Sequence, residues 1–330
     1  MEALLEKLTK TFGPAGSEET IRAVILEETR PFADDVMTDN LGNLVISRGK
    51  MDQETVLVAA HMDEIGIMVT YIEEKGFLRF TNVGGVRIET LLGSRFVFRN
   101  GTTGVIGLEK QKEKKDPGFS AYYLDIGVRD ADEAKKQVQI GDTACYEPSF
   151  GRQGRRVMAK ALDNRAGCAV LIEALKALPR SLPLGVHFAF TVQEELGLRG
   201  ATPLAYRLNP AYGLAVDVTR VGDTPEPEYK MGVSLGQGPA VKVKDSSVIC
   251  HPAVVEKLKS TAEKQGIPYQ IEVLERGGTD AGAIHLSREG VPSGVLSVPC
   301  RYIHSPGEMV DLDDMENAAS LLQSLLQEPW

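Results

Sequence analysis

"TVLVAAHMDEIG", residues 55–66, opens with an apolar run that does not alternate with polar residues and stops at His61 and Asp63. A strand with one wet face alternates. An unbroken run is the pattern of a strand covered on both faces, as in the parallel sheet of an α/β protein. Working outward, "LGVHFAFTV" (184–192) and "YGLAVDVT" (212–219) read as buried strands, and "VPSGVLSVP" (291–299) as another. Helical patterns separate them. "NRAGCAVLIEALKAL" (164–178) is one, and "PAVVEKLKSTAEKQG" (252–266) carries Pro at its start and Gly after its end. "DLDDMENAASLLQSLLQ" (311–327) places acids in its first turn. Near the N-terminus, "GSEETIRAVILEETRPF" (16–32) predicts a helix with Ser17 as its N-cap, ended by Pro31. "DNLGNLVIS" (39–47) predicts a hairpin turn entering a strand.

The texture changes between residues 67 and 158. "YIEEKGFLRFTNVGGV" (71–86), "GSRFVFRNGTTGVIGLE" (93–109) and "AYYLDIGV" (121–128) are short alternating stretches separated by Gly and Asn. They predict a small all-β barrel or sandwich. The organisation is therefore an α/β domain interrupted by an all-β insertion, with no repeat and no low-complexity tract.

Composition narrows the function. At 330 residues, 42% hydrophobic and 25% charged, the chain can bury enough apolar surface to fold without disulfides or a structural metal. A metal here is accordingly a catalytic one. The net charge of −9 and the lack of a basic stripe argue against nucleic-acid binding. The lysine cluster "EKQKEKKDPG" (109–118) is mixed with acids and reads as a solvated tip. None of Cys145, Cys168, Cys250 and Cys300 has zinc-finger or CxxC spacing, which fits a reducing compartment. "MEALLEKLTKTFG" (1–13) lacks the basic and apolar regions of a signal peptide, and no apolar stretch reaches membrane-spanning length. A cytoplasmic protein is expected.

Several acidic and histidine residues lie at strand ends or in adjacent turns. They are His61 and Asp63 after "VLVAA", Asp163 in "AKALDNRAG", Glu194 and Glu195 after "VHFAFTV", Asp217 in "GLAVDVT", and His304 in "RYIHSPGE". Open α/β sheets bind ligands outside the carboxyl ends of their strands, so these side chains can converge. Taken singly, an Asp after a strand is usually a helix cap and a His is usually hydrogen-bonded within the fold. His187, His251 and His285 take that ordinary reading. A mixed His and carboxylate set suits Zn²⁺ or a similar first-row cation.

"AAHMDEIG", "KALDNRAG", "TVQEELGLRG", "AVDVT" and "IHSPGE", in this order and across essentially the whole chain, resemble the M42 family of dinuclear metallo-aminopeptidases, which includes glutamyl aminopeptidases and tetrahedral TET peptidases. The resemblance implies a mixed-sheet, three-layer α/β metallopeptidase domain (1–66 plus 159–330) and an inserted β-barrel dimerisation domain (67–158). It implies two divalent ions per subunit, Zn²⁺ or Co²⁺. His61 and Asp217 would hold one, Glu195 and His304 the other, and Asp163 would bridge them. Asp63 would orient the His61 imidazole, and Glu194 would be the general base. It further implies a peptide substrate and homo-oligomers, with dimers assembling to a tetrahedral dodecamer. The glycine-rich "RGGTDAG" (276–282) reads as a turn capped by Thr279 or Asp280, and the resemblance sets it near the pocket for the first substrate side chain. Arg276 could attract an acidic side chain there or be a surface residue.

Two other classes of function stand beside this one. A metal-dependent deacylase or amidohydrolase acting on small acylated amines could use the same constellation, and a non-catalytic assembly protein would need none of it. Some relatives carry an endoglucanase label, but a two-carboxylate glycosidase needs no histidine ligands.

Overall fold

Four strands whose sequences are apolar on both faces form the centre of the large sheet. In spatial order they are Gly185–Thr191, Thr55–His61, Tyr212–Thr219 and Ser293–Arg301, all parallel. The structure is a computed structural model and describes residues 1–110, 118–227 and 230–330. Most of the lysine-rich stretch 109–118 lies outside the described residues. Around the parallel centre, antiparallel strands complete an eleven-stranded mixed sheet. Helices Glu2–Lys10, Glu19–Thr29, Leu162–Ala177, Pro252–Gln265 and Leu312–Leu325 cover one face through a core that includes Val58, Leu171, Phe188, Val216 and Leu322. The short helices Ala201–Leu208 and Ala281–Ile284 cover the other face. This is the three-layer α/β architecture expected from the unbroken apolar runs.

Topology decides where chemistry can occur. From Thr55–His61 the sheet extends to Gly185–Thr191 on one side and Tyr212–Thr219 on the other. The carboxyl end of Thr55–His61 is thus a switch point, where flanking loops part and leave a crevice. The register pairs Thr191 with His61, Ala215 with Ala59 and Asp217 with Ser297. Asp217 therefore lies level with His61 across the ladder.

Residues 66–146 form a closed barrel of six antiparallel strands around its own core, which includes Leu78, Phe96, Ile106 and Leu124. The alternating pattern does not end where the barrel ends. The hairpin Phe150–Gln153 and Arg156–Ala159 pairs with Glu308–Asp311 in the large sheet, although the sequence boundary at 158 assigns it to the insertion. A short half-buried hairpin looks the same in either sheet, and only its partner distinguishes them. Ser17 also departs from expectation. The helix starts at Glu19, Glu18 occupies the cap position without a capping bond, and the Ser17 hydroxyl accepts a hydrogen bond from Thr143 of the barrel at 2.9 Å.

The N-terminal segment, the strand exit and the long buried helix are joined by ions rather than oil. Glu64 is buried, with Lys160 at 2.6 Å, Arg165 at 3.4 Å and the Gly13 N–H at 3.1 Å. Arg165 also donates to the carbonyls of Leu8 and Thr11. Among the described residues, no helix is long and apolar enough to cross a membrane. Removing one member of a buried ion cluster leaves the others charged and unpaired, which costs about 3–5 kcal/mol. Lys160→Met is therefore expected to lower unfolding stability by that amount in urea titrations, and a change below about 1 kcal/mol would contradict the assigned role.

Candidate active site

Two adjacent glutamates in a continuing strand would point to opposite faces. The strand ends at Thr191, however, and Gln193 takes a left-handed conformation with φ of 54°. Three side chains from elsewhere in the chain pin this turn. The N–H of Val192 donates to Asn43 Oδ1 at 3.0 Å and that of Gln193 to Glu18 Oε1 at 3.2 Å. The next two, of Glu194 and Glu195, donate to Asp63 Oδ1 and Oδ2 at 3.0 and 3.2 Å. With four consecutive amides held, both glutamate side chains line one cavity of 330 Å³.

His61, Asp163, Asp217 and His304 line the same cavity. Asp163 is shared. Its Oδ1 lies 3.0 Å from His61 Nε2, and its Oδ2 lies 3.2 Å from His304 Nε2. His61 Nε2 is 3.6 Å from Asp217, and His304 Nε2 is 3.2 Å from Glu195. Two sets result, His61–Asp163–Asp217 and Asp163–Glu195–His304, each with ligand atoms within 4.8 Å of one another. Imidazole nitrogen with carboxylate oxygen is the donor chemistry of first-row divalent cations, so the residues present fit such ions. Asp63 contacts the His61 ring and also serves the turn. The His61 Nδ1–H donates to its backbone carbonyl at 3.2 Å, while its carboxylate stands 3.6 Å away and serves the glutamate amides.

The electrostatics point the same way. Burial raises the Glu194 carboxyl; His61 pulls it down, and Asp217, Glu195 and Asp280 push it back up, leaving it well above the usual carboxylate range. Burial likewise raises Glu195 and Asp217 against the pull of His304 and His61 respectively. Asp163 goes the other way, because hydrogen bonds from His304 and His61 outweigh its burial. Burial disfavours the charged form of both imidazoles. The surrounding carboxylates overcome it, raising His61 well above its ordinary value and His304 to about 11. Crowded carboxylates thus demand positive charge, which divalent ions held by these donors would supply.

Other residues contribute that sequence reasoning did not single out. Glu308, 1% exposed, accepts from the Asp163 N–H at 2.9 Å and the His304 N–H at 2.8 Å, and burial pushes its carboxyl up to about 8. Its spacing, four residues beyond His304, was the available signal. Glu18 and Asn43 carry no local signature. The barrel also enters the site. At Gly84 a Cβ would lie 3.0 Å from the Glu195 Cβ, and at Gly85 one would lie 2.4 Å from His304 Nδ1. Of the 276–282 loop, Gly277 and Gly278 line the cavity, whereas Arg276 is exposed and does not. Asp280 occupies the cap position without a capping bond and accepts instead from the Thr191 hydroxyl at 2.5 Å. The remaining histidines are structural: His187 bonds Ser47, His251 caps a helix and His285 bonds the Ala281 carbonyl. Cys145, Cys168, Cys250 and Cys300 are free and buried.

Known proteins resemble the chain along its length. The family profile described as M42 glutamyl aminopeptidase matches residues 42–321. A putative aminopeptidase of Acetivibrio thermocellus is 50% identical over 97% of this chain and 96% of its own. The lysyl aminopeptidase of Pyrococcus furiosus is 35% identical over 98% of this chain and 96% of its own. The TET1 peptidase of Pyrococcus horikoshii, which can assemble into a tetrahedron or a large octahedral shell, superimposes with a TM-score of 0.89 at 37% identity, covering 99% of each chain.

Gly85→Ala forces a methyl group into the His304 ring without touching either hydrophobic core. Divalent-ion affinity, measured by calorimetric titration of metal-free protein with Zn²⁺, is expected to fall about 10–100-fold, the range for lost support of a ligating side chain. Unchanged affinity would contradict the packing.

Proposed function

The chain belongs to the M42 family of peptidases, and from that premise we propose that it is a dinuclear metal-dependent aminopeptidase that removes N-terminal residues from short peptides, with Glu194 as general base. The observation that carries this reading is the sharing of Asp163 between two donor sets that both leave Glu194 out. Glu194 nevertheless stands 3.8 Å from His61 Nε2, inside the same cavity.

In this reading His61 and Asp217 would hold one divalent ion and Glu195 and His304 the second, with Asp163 shared between the two donor sets. Zn²⁺ and Co²⁺ both suit these donors. Bound ions supply Lewis acidity towards a water molecule and towards the scissile carbonyl. The chain's own residues do the rest. Burial raises the proton affinity of Glu194, so its carboxylate can take a proton from the attacking water and pass it to the departing amine. Asp63 keeps Glu194 in reach by holding its amide, and Glu308 fixes Asp163 and His304 from behind. A cavity of 330 Å³ is at the small end of ligand sites and has room for one terminal residue of a peptide beside the ligand cluster.

The reading extends to assembly. The Pyrococcus horikoshii peptidase can assemble into a tetrahedron or a large octahedral shell, and the corresponding assembly here would pair chains through the barrel and join dimers into a dodecamer. Light scattering should then give a mass near twelve chains, and a stable monomer would count against it.

Glu194→Gln is expected to retain both ions by elemental analysis while kcat on aminoacyl-anilides falls about 10²–10⁴-fold, the usual contribution of a positioned base. Asp163→Ala should instead lose metal. Full turnover by Glu194→Gln would remove the base assignment. Hydrolysis of N-acylated amino acids in preference to aminoacyl-anilides would favour a deacylase.

A further inference from the structure

A second cavity, of 340 Å³, adjoins the first, and Arg220 and Ile303 line both. Its other walls include Arg87, Arg301, Tyr302 and Glu226. Arg301 is fixed by a two-point pair with Asp223, Nε to Oδ1 and Nη2 to Oδ2 each at 2.8 Å, so its charge is balanced. Among the described residues, no ion pair involves Arg87. Arg87 therefore brings to this pocket a positive charge that no described carboxylate pairs with, beside a cluster of carboxylates. Tyr302 and His304, on either side of Ile303, both hold left-handed conformations, with φ of 60° and 65°.

The position suggests the ligand. Lys242 lines the catalytic cavity but is already paired with Asp245 at 3.1 Å and Glu272 at 3.2 Å, so it is not free to capture an anion. Arg220 and Ile303 join this cavity to the one that Arg87 lines. Arg87 follows Gly85, which touches the His304 ring, by two residues, a separation of about 7 Å along an extended chain. A peptide two or three residues long spans about 7–10 Å. Its free carboxylate would therefore reach the arginine cavity when its first peptide bond lies over His304.

We propose that this cavity binds the C-terminal carboxylate of di- and tripeptide substrates, with Arg87 of the barrel as the contacting cation. The proposal rests on the exopeptidase reading for the direction in which the peptide lies. A guanidinium fork matches a carboxylate in two hydrogen bonds, a geometry that a carboxamide cannot reproduce in charge and a lysine cannot reproduce in shape. The site would make the enzyme favour short free peptides over blocked ones, and would make the barrel part of substrate recognition.

The test compares Leu-Gly-Gly with its C-terminal amide, using protein loaded with Zn²⁺ or Co²⁺. In the wild type the free acid should have the higher kcat/KM by about tenfold, through KM, as expected for one charge-assisted contact at a partly exposed site. In Arg87→Gln the ratio should collapse to about one, and in Arg87→Lys it should lie between. A wild-type ratio of one, or an Arg87→Gln protein that keeps the tenfold ratio while slowing on both peptides, would overturn the proposal. A binding arm removes the dependence on turnover. In a Glu194→Gln background, calorimetry should give the same tenfold preference, lost on adding Arg87→Gln; equal affinities would overturn the proposal. Absence of turnover on every peptide by the wild type would count against the exopeptidase reading, and the calorimetric preference would still decide the carboxylate site.

Discussion

Like charges cannot be buried side by side unless positive charge stands among them, and the architecture around the switch point follows from that constraint. Asp163, Glu194, Glu195 and Asp217 converge on His61 and His304 in one small cavity. Each carboxylate or imidazole is held by a backbone element that could not easily yield. The His61 strand is central to the sheet, the Glu194–Glu195 turn is pinned through four consecutive amides, and Asp163 and His304 hang on the two oxygens of Glu308. Such rigidity keeps the repelling groups from relaxing apart. Divalent cations fit this donor set and would satisfy it, and in the proposed reading Glu194 stands close to them without ligating either.

The barrel takes part in this arrangement. Gly84 and Gly85 have no side chains because Glu195 and His304 occupy that space. On its other side the barrel grips the N-terminal segment: Arg99 pairs with Glu19, and the Thr143 hydroxyl donates to Ser17. Between those two contacts lies Glu18, whose carboxylate holds Gln193. A single run of contacts therefore links the barrel to the backbone of the catalytic turn. Were the barrel to pair chains as proposed, that arrangement would bring the assembly contacts and the catalytic cavity into direct contact.

Much of this was legible in the sequence, and for identifiable reasons. The parallel centre showed itself in apolar runs such as "VLVAA", because burial on both faces leaves no polar alternation. The site residues showed themselves as polar residues at the ends of those runs. What the sequence concealed was non-local. Glu18 reads as an ordinary acid at a helix start, and Asn43 as a turn residue; nothing near either one announces an amide more than a hundred residues away. The hairpin at 150–159 has the same alternation whether it joins the barrel or the large sheet. The resemblance gave Asp63 the task of orienting the His61 imidazole; its backbone carbonyl does accept from that ring, and its carboxylate additionally holds the glutamate amides, which nothing in the sequence announced. Local spacing locates a group without saying which of several nearby partners it serves.

The most direct test of the central claim is a crystal structure of the protein loaded with Zn²⁺, with the ions located by anomalous scattering at the zinc edge. Two ions per chain are predicted, about 3.5–4 Å apart as in other two-ion sites, with Asp163 between them and the Glu194 carboxylate outside both coordination shells. A single ion, or a Glu194 oxygen ligating either ion in place of Glu195, would contradict the account.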